Sequence, residues 1–268
     1  MSGNAQLNDR RVHAAPLGFE EDRIVLPAVR NGADRVWLLI PRHDDTARDF
    51  LEDVQAGLAD AKIEVRTIQH DRGDLFDIIR ATREIISLEG ENHVLVNLSS
   101  GSKIQAVGCM MACMMFNSTG RVRPYYAEPE EYRRRDGPLS TGVREVMPLP
   151  QYTVQIPPPL LVNTMHIIRN NDNRIRKKDL LDRLREAGLV VMVSDAAVHI
   201  PETPDVLVVR GREHYMETAG LARMTGSIID PLIRWNFVRT EKVGRSQWVS
   251  LTGEGLNAVR FLPDGTTP

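Results

Sequence analysis

The sequence predicts an α/β protein. A Rossmann-like, doubly wound, mostly parallel sheet occupies residues 1–150, a proline-rich linker 151–159, and an α+β winged helix-turn-helix domain 160–268. Three observations carry this prediction. Short apolar runs alternate with amphipathic stretches from Val12 to Tyr126. Ile156-Pro157-Pro158-Pro159 then enforces a stiff, extended segment. Beyond it the order changes to helix, helix, helix, two-stranded hairpin, helix.

Val12–Ala15 is the first strand, followed by the turn Pro16-Leu17-Gly18. Ile24, Val25, Leu26 and Val29 have helical spacing and run into Asn31-Gly32, a helix stop. Arg35–Ile40 is almost continuously apolar, as a strand covered on both faces should be. Asp44 and Asp45 precede a helix with Phe50, Leu51, Val54, Leu58 and Ala61 on one stripe. Ile63–Ile68 is the third strand, and Gly73-Asp74 opens a helix carrying Leu75, Ile78, Ile79, Ile85 and Ile86. His93–Leu98 is the fourth strand, Ile104–Phe116 the fourth helix and Val122–Tyr126 the fifth strand. The polar excursion Glu128–Pro138 contains Arg133-Arg134-Arg135, ordinarily a solvated loop and alternatively a lid or a nucleic-acid contact. Val143–Met147 returns as an edge strand.

In the second domain, Leu160–Arg169 is a helix, Asn170–Asn173 a turn, and Lys177–Ala187 a helix ended by Gly188. Leu189–His199 contains a strand candidate and leads to a proline-containing loop as far as Asp205. Arg212–Arg223 reads as a helix, and Ser227 as the cap of another through Leu232, Ile233 and Trp235. Phe237–Glu241 and Gln247–Leu251 flank the basic turn Lys242-Val243-Gly244-Arg245-Ser246, and Thr252 caps a last helix over 253–262. Trp235, Phe237 and Trp248 are expected in the core of this domain.

At 268 residues, 42% hydrophobic and 26% charged, the chain has the composition of an ordinary two-domain globular protein. The net charge of −2 conceals local cationic clusters, so it does not exclude a polyanionic partner. Cys109 and Cys113, four residues apart, are no disulfide framework and suit a reducing compartment. They also lack neighbouring ligands for a metal, and none is expected. The polar N-terminus lacks the apolar core of a signal peptide, and no stretch approaches the roughly 18 apolar residues that span a bilayer. A cytoplasmic protein without a membrane partner is the expectation.

The stretch with chemical content is Asn97-Leu98-Ser99-Ser100-Gly101-Ser102-Lys103, between the fourth strand and fourth helix. A helix N-terminus presents unpaired N–H groups and the positive end of a dipole, which attract anions. Gly101 allows close backbone approach, Ser99, Ser100 and Ser102 carry hydroxyls, Lys103 a charge, and Asn97 can brace the turn. The alternative is a serine cap followed by a surface lysine, and spacing alone leaves the two balanced. Neither G-x-x-x-x-G-K-[ST] nor G-x-G-x-x-G is present, so ATP hydrolysis and NAD binding have no support here. Arg42, after the second strand, is a further anion ligand candidate on the same rim. His43 and His70 also follow strands on that rim, with a solvated or capping role as their ordinary reading.

This stretch resembles the N-[LIV]-[ST]-[GS]-G-[ST]-K signature of CRISPR-associated Rossmann-fold (CARF) domains. Pro16–Arg23 occupies the place of that family's other ligand-contacting loop, and the C-terminal module is similar to the winged helix of archaeal CARF regulators. Ser100 departs from the glycine many members carry. The resemblance implies a homodimer, built through the sheet domain, with one pocket across its twofold axis. The implied ligand is a cyclic oligoadenylate, with cyclic tetra-adenylate as the candidate. Ser99–Lys103 would hold its phosphates and Leu17, Gly18, Phe19 and Glu20 its bases. The Cys109/Cys113 helix is expected to be buried, with the dimer interface as a candidate position. Some members cleave the ring, and the resemblance implies Ser99 and Lys103 for that purpose here.

For double-stranded DNA the candidate contacts are Arg174, Arg176, Lys177 and Lys178 at the second helix, with Arg223, Thr225, Ser227 and Arg234 on the recognition helix. Lys242, Arg245 and Ser246 at the wing tip complete the set. Winged helices also serve as dimerisation or protein-docking modules. The expected function is therefore a ligand-sensing, DNA-binding transcriptional regulator. The alternatives are a ring nuclease that uses the winged helix to dimerise, and an interaction module with a vestigial pocket.

Overall fold

The computed structural model describes residues 9–42, 46–132, 139–194, 203 and 205–264. His43, Asp44, Asp45, Arg133–Arg135 and the end of the Leu189–His199 segment lie outside the described residues. The chain divides into two compact units, Met1–Gln155 and Ile156–Pro268.

The first unit is built on a six-stranded sheet. Its strands are β1 (Arg11–Pro16), β2 (Arg35–Pro41), β3 (Glu64–His70), β4 (His93–Asn97), β5 (Val122–Glu128) and β8 (Glu145–Pro148). The two-residue strands β6 (Glu131–Tyr132) and β7 (Ser140–Thr141) pair with each other outside it. The order is β3-β2-β1-β4-β5-β8, parallel throughout except β8, which runs antiparallel to β5. Helices α1 (Asp22–Arg30), α2 (Leu51–Asp60), α3 (Leu75–Glu89) and α4 (Lys103–Met115) connect the parallel strands, and a short 3-10 turn, Thr46–Phe50, leads into α2.

Alternation along the strands sorts the core into two layers. Val12, Ala14, Val94 and Val96 pack with Ile78 and Ile85 of α3 and Cys109 and Cys113 of α4. Ala15, Val36 and Leu38 pack with Ile24 and Val25 of α1 and Val54 and Leu58 of α2. Each face of the sheet is thus covered by two helices, which explains why every residue of β2 is buried. The chain winds outward from β1 to β3, then returns to place β4 on the other side of β1. The switch point lies between β1 and β4, where ligands of open α/β sheets collect beyond the strand ends.

His13 sits inside this sheet, 1% exposed, with Nδ1 3.1 Å from the Tyr125 hydroxyl and Nε2 sealed away without a partner. Burial alone pushes its pKa down from 6.5 to about 4. The unfolded chain therefore binds the proton first. Its contribution to stability is complete above pH 6.5 and falls away towards pH 4. The loss should reach about 3 kcal/mol, at 1.36 kcal/mol per pKa unit. Denaturant titrations between these limits should show this slope reduced in His13→Gln. His70, also pushed down by burial, accounts for the part that remains.

The second unit contains α5 (Pro159–Arg169), β9 (Arg174–Arg176), α6 (Lys177–Glu186), β10 (Val190–Val193) and β11 (Leu207–Arg210). After these come α7 (Met216–Met224), α8 (Asp230–Arg234), β12 (Val238–Val243), β13 (Ser246–Leu251) and α9 (Gly253–Ala258). Leu180, Leu181, Leu184, Met165, Ile168, Met224, Ile228, Leu232 and Val249 are its buried apolar residues of largest consequence. Three expectations need correction. Arg174–Arg176 is a strand, the third of the wing sheet, paired antiparallel with β13. Leu207–Arg210 forms an unforeseen parallel pair with β10. Ser227 caps nothing: a π-helical segment, Thr225–Ile229, joins α7 to α8 without a break. The buried residues Gly220, Met224, Ile228 and Leu232 recur every four positions, wider than an α-turn. One π turn restores the alignment, and it falls where Pro231 offers no N–H to the Ser227 carbonyl.

Candidate functional site

The loop after β1 and the loop after β4 meet at the switch point. Gly18 and Gly101 touch there through backbone: a Cβ on Gly18 would lie 2.4 Å from Gly101 N and 2.8 Å from its Cα. Gly101 itself has φ +76°, a left-handed conformation, and a Cβ there would lie 2.8 Å from Pro16 Cβ.

Asn97 ends β4 fully buried. Its Nδ2 donates to the Arg23 carbonyl at 2.7 Å, and its Oδ1 accepts from Ser99 N at 2.8 Å and from the Ser99 hydroxyl. The Ser99 oxygen in turn accepts from Ala127 N at 3.0 Å. Ser100, 1% exposed, donates its hydroxyl to the Pro16 carbonyl at 2.8 Å. Both hydroxyls point inward and brace the turn. Ser100, the departure from the family pattern, serves as a strut between the two loops.

Ser102 is the N-cap of α4. Its Oγ accepts from Gln105 N at 3.4 Å, while Gln105 Oε1 accepts from Ser102 N at 2.7 Å, a reciprocal capping box. The cap leaves the N–H groups of Lys103 and Ile104 without intrahelical acceptors. Lys103 is exposed on the first turn and has no ion pair among the described residues. The turn therefore presents a close-approach glycine, two backbone donors and one unpaired cation.

The first loop contributes less than its position suggested. Leu17 is core, its N–H donating to the Leu39 carbonyl at 2.9 Å. Glu20, 7% exposed, accepts from Arg23 Nη1 at 3.0 Å and from the Ser140 hydroxyl at 3.1 Å. Phe19 lies edge-on to Phe50, 5.8 Å between centroids, with the Arg72 guanidinium 5.3 Å from its ring. Arg42 remains on the rim, half exposed and paired with Asp77 at 3.2 Å.

Three buried residues stand behind the turn: Gln105, which the sequence reading passed over, with His70 and Arg23, which it placed on the rim and in the first loop. Gln105 occupies the N3 position of an S-x-x-Q capping box, a signal present in the sequence. Its Nε2 lies 2.9 Å from His70 Nε2, and both side chains are fully buried. Of the two roles expected for His70, solvated or capping, its burial excludes the first. Arg23 is also buried, donating from Nε to the Ala127 carbonyl at 2.9 Å.

Helix α4 is only half buried. Cys109 and Cys113 face the core, and burial pushes the Cys109 thiol up to about 11, so neither is a nucleophile. Ile104, Val107 and Met111 form an exposed stripe on the opposite side.

In the second unit a cleft of about 370 Å³ lies between the wing tip and the start of α6. Arg176, Lys177 and Lys178 line one side, Arg245 and Ser246 the other, with Leu221 of α7 between them. Several cations are already engaged. Arg174 pairs with Glu241 and stacks over Trp248 at 4.6 Å, and Arg176 lies 5.4 Å from the same ring. Lys178 pairs with Glu217 at 2.7 Å. Lys242, Arg245, Arg223 and Arg234 are exposed. Because α7 begins at Met216, Arg223, Thr225 and Ser227 lie mid-helix, and the Thr225 hydroxyl is committed to the Leu221 carbonyl at 2.6 Å. Trp235 is 37% exposed and stacked on Phe237, not core as expected.

A doubly wound sheet with a Ser/Gly/Lys turn at its switch point, in one chain with a winged helix, defines a two-domain protein of Rossmann-like and winged-helix type. Residues 11–132 match a family model described as HFX_2341_N-like, N-terminal, and residues 161–263 match the DUF6293 C-terminal winged helix domain. Both matches agree with the architecture that the resemblance implied. The chain is 27% identical to uncharacterized protein MJ1513 of Methanocaldococcus jannaschii over 213 residues. That alignment covers 69% of this chain and 64% of the relative, so the chain spans somewhat less than two thirds of the relative's length.

Among solved structures, it is similar to Can2 from Sulfobacillus thermosulfidooxidans, solved in complex with cyclic tetra-adenylate. That match has 12% identity and a TM-score of 0.39, covering 96% of this chain and 64% of Can2. It is also similar to Enterococcus italicus Csm6 bound to cyclic hexa-2'-fluoro-hexa-dAMP. There the identity is 9% and the TM-score 0.37, over 67% and 50% of the two chains. At these values the likeness carries no argument about function. Among the described residues, no helix is long and apolar enough to cross a membrane, and no group of three His, Cys, Asp or Glu is placed to hold a metal ion.

Proposed function

We propose that the chain is a ligand-sensing, DNA-binding regulator whose sheet domain binds a cyclic oligoadenylate and whose winged helix binds duplex DNA. The observation that carries the ligand half is the backbone contact of Gly18 with Gly101 beside the unpaired Lys103 and the open first turn of α4. That combination suits a phosphate and has little purpose in a plain cap. A second copy packed on the Ile104/Val107/Met111 stripe would bring two such turns together, as a ring-shaped ligand requires. The cationic cleft and the exposed wing support the DNA half. Ring cleavage through Ser99 and Lys103 has less support, because the Ser99 hydroxyl is held between Asn97 and Ala127.

Calorimetric titration with cyclic tetra-adenylate, cyclic hexa-adenylate and their linear forms tests the ligand. Binding of one ring size that is abolished in Lys103→Ala is expected, without linear product accumulating. Steady formation of linear product would instead establish the nuclease. For DNA, binding to the protein's own promoter should weaken with salt. Lys242→Ala with Arg245→Ala should lower the slope of log affinity against log salt by about 2, one unit for each phosphate contact. An unchanged slope would remove the wing from the interface.

A further inference from the structure

The buried chain from Ser102 through Gln105 to His70 has one consistent arrangement of protons. Ser102 N–H is an obligatory donor, so the Gln105 atom 2.7 Å from it is the amide oxygen. The amide nitrogen then faces His70 Nε2 at 2.9 Å as a donor, and that ring nitrogen has to accept. The single ring proton then sits on Nδ1, which is sealed from solvent without a hydrogen-bond partner. A second proton on Nε2 would set N–H against NH2. Turning the amide over relieves that clash only by setting its NH2 against Ser102 N–H. No rotamer of Gln105 satisfies both neighbours once the imidazole is charged. Its Oε1 lies 2.8 Å from where a Gly101 Cβ would be, directly beneath the close-approach glycine.

We propose that His70 is a positioning residue of the ligand site: through Gln105, the neutral imidazole holds the Gly101–Ser102 turn in its phosphate-facing geometry, and the charged imidazole releases it. This rests on the reading of that turn as a phosphate seat. The charges facing His70 are Asp77 and Arg80 of α3 and Asp71 of the turn after its own strand, with Arg42 paired to Asp77. Burial outweighs the two carboxylates and keeps the ring neutral below its ordinary range. The coupling therefore acts on the acidic side. Ligand binding holds at neutral pH and weakens as pH falls through the His70 midpoint, by about tenfold, as one lost buried hydrogen bond implies.

The test is a pH titration of the isotope-labelled full chain by NMR, beside calorimetric titrations with cyclic tetra-adenylate at the same pH values. At neutral pH the ring nitrogen shifts should report the proton on Nδ1. The Gly101 and Ser102 amide resonances should move with the same midpoint as His70. In Gln105→Glu the carboxylate accepts from both neighbours, so the His70 midpoint should rise above that of the wild type, and the ligand should no longer weaken as the ring is charged. Amides that stay put through the His70 titration would overturn the proposal, as would a His70 midpoint unmoved in Gln105→Glu. The wild-type titration tests the coupling even if that variant does not fold. A shared midpoint without oligonucleotide binding at any pH would leave the relay standing and sink the phosphate-seat reading.

Discussion

Glu89→Ala is expected to lower the unfolding temperature of the sheet domain by about 10–20 °C, at about 3–5 kcal/mol for removing one partner of a buried ion pair. Glu89 is 2% exposed at the end of α3, on the rim opposite the ligand loops. Its carboxylate accepts from Arg35 Nη1 at 2.8 and 3.0 Å, from Trp37 Nε1 at 2.5 Å and from Asn92 Nδ2 at 2.8 Å. Alanine would strand the Arg35 guanidinium, itself 8% exposed, and the indole N–H together. Glu64, the other partner of Arg35 at 2.8 Å, is 41% exposed, so Glu64→Ala should cost under about 1 kcal/mol. Burial opposes the Glu89 charge, but the donors from Trp37, Arg35 and Asn92 outweigh it and hold the pKa below the ordinary carboxylate range. The pair's stabilisation is complete above that range and lost as pH falls through the lowered value. This loss lies further into acid than the onset of the His13 loss. Circular dichroism melts of the wild type and both variants across pH resolve the two. Equal melting temperatures for Glu89→Ala and Glu64→Ala would show that the pair is unimportant.

The second large effect is expected at Gly18. Alanine there places a Cβ 2.4 Å from one backbone atom of Gly101 and 2.8 Å from another, and neither can move aside as a side-chain tip would. The loops must part, at about 1–3 kcal/mol for forced overpacking. Any share of that strain borne by the bound state weakens the ligand about tenfold per 1.4 kcal/mol. Gly120→Ala is the matched control. Gly120 has a positive φ of +72°, so alanine is strained there by conformation, but its Cβ would enter open space on the rim away from the turn. Stability should fall in both variants and cyclic tetra-adenylate affinity only in Gly18→Ala. Comparable affinities in the two would show that the loop contact does not shape the site.

Periodicity made the sheet domain legible because each strand and helix satisfies its own pattern locally. The continuous apolar run Arg35–Ile40 announces a central strand, and the Asn31-Gly32 stop is where α1 gives way to a turn with Gly32 at φ +61°. The Ser99–Lys103 turn was legible as a position but not as a geometry. A serine in sequence is a hydroxyl without a direction, and only the three-dimensional packing shows Ser99 and Ser100 turned inward while Lys103 stays out. The burial of Leu17 and Glu20 is hidden for the same reason: loop residues look available until their partners, Leu39 and Arg23, are known. In the winged helix, Arg174–Arg176 was too short and too charged to read as a strand. The π segment was hidden because its serine and glycine mimic a helix boundary.

The neighbours at the switch point come from distant parts of the chain. Strands β1 and β4 pair side by side, His13 against Leu95, although about eighty residues separate them in sequence. The whole segment from α1 to α3 lies between them in the chain, so the meeting of the two glycines is a long-range contact that bears a large loop-closure entropy. A chain stalled with β4 unpaired lacks the contact between Gly18 and Gly101. Any molecule that needs both loops would then favour chains in which β4 is paired over those in which it is not.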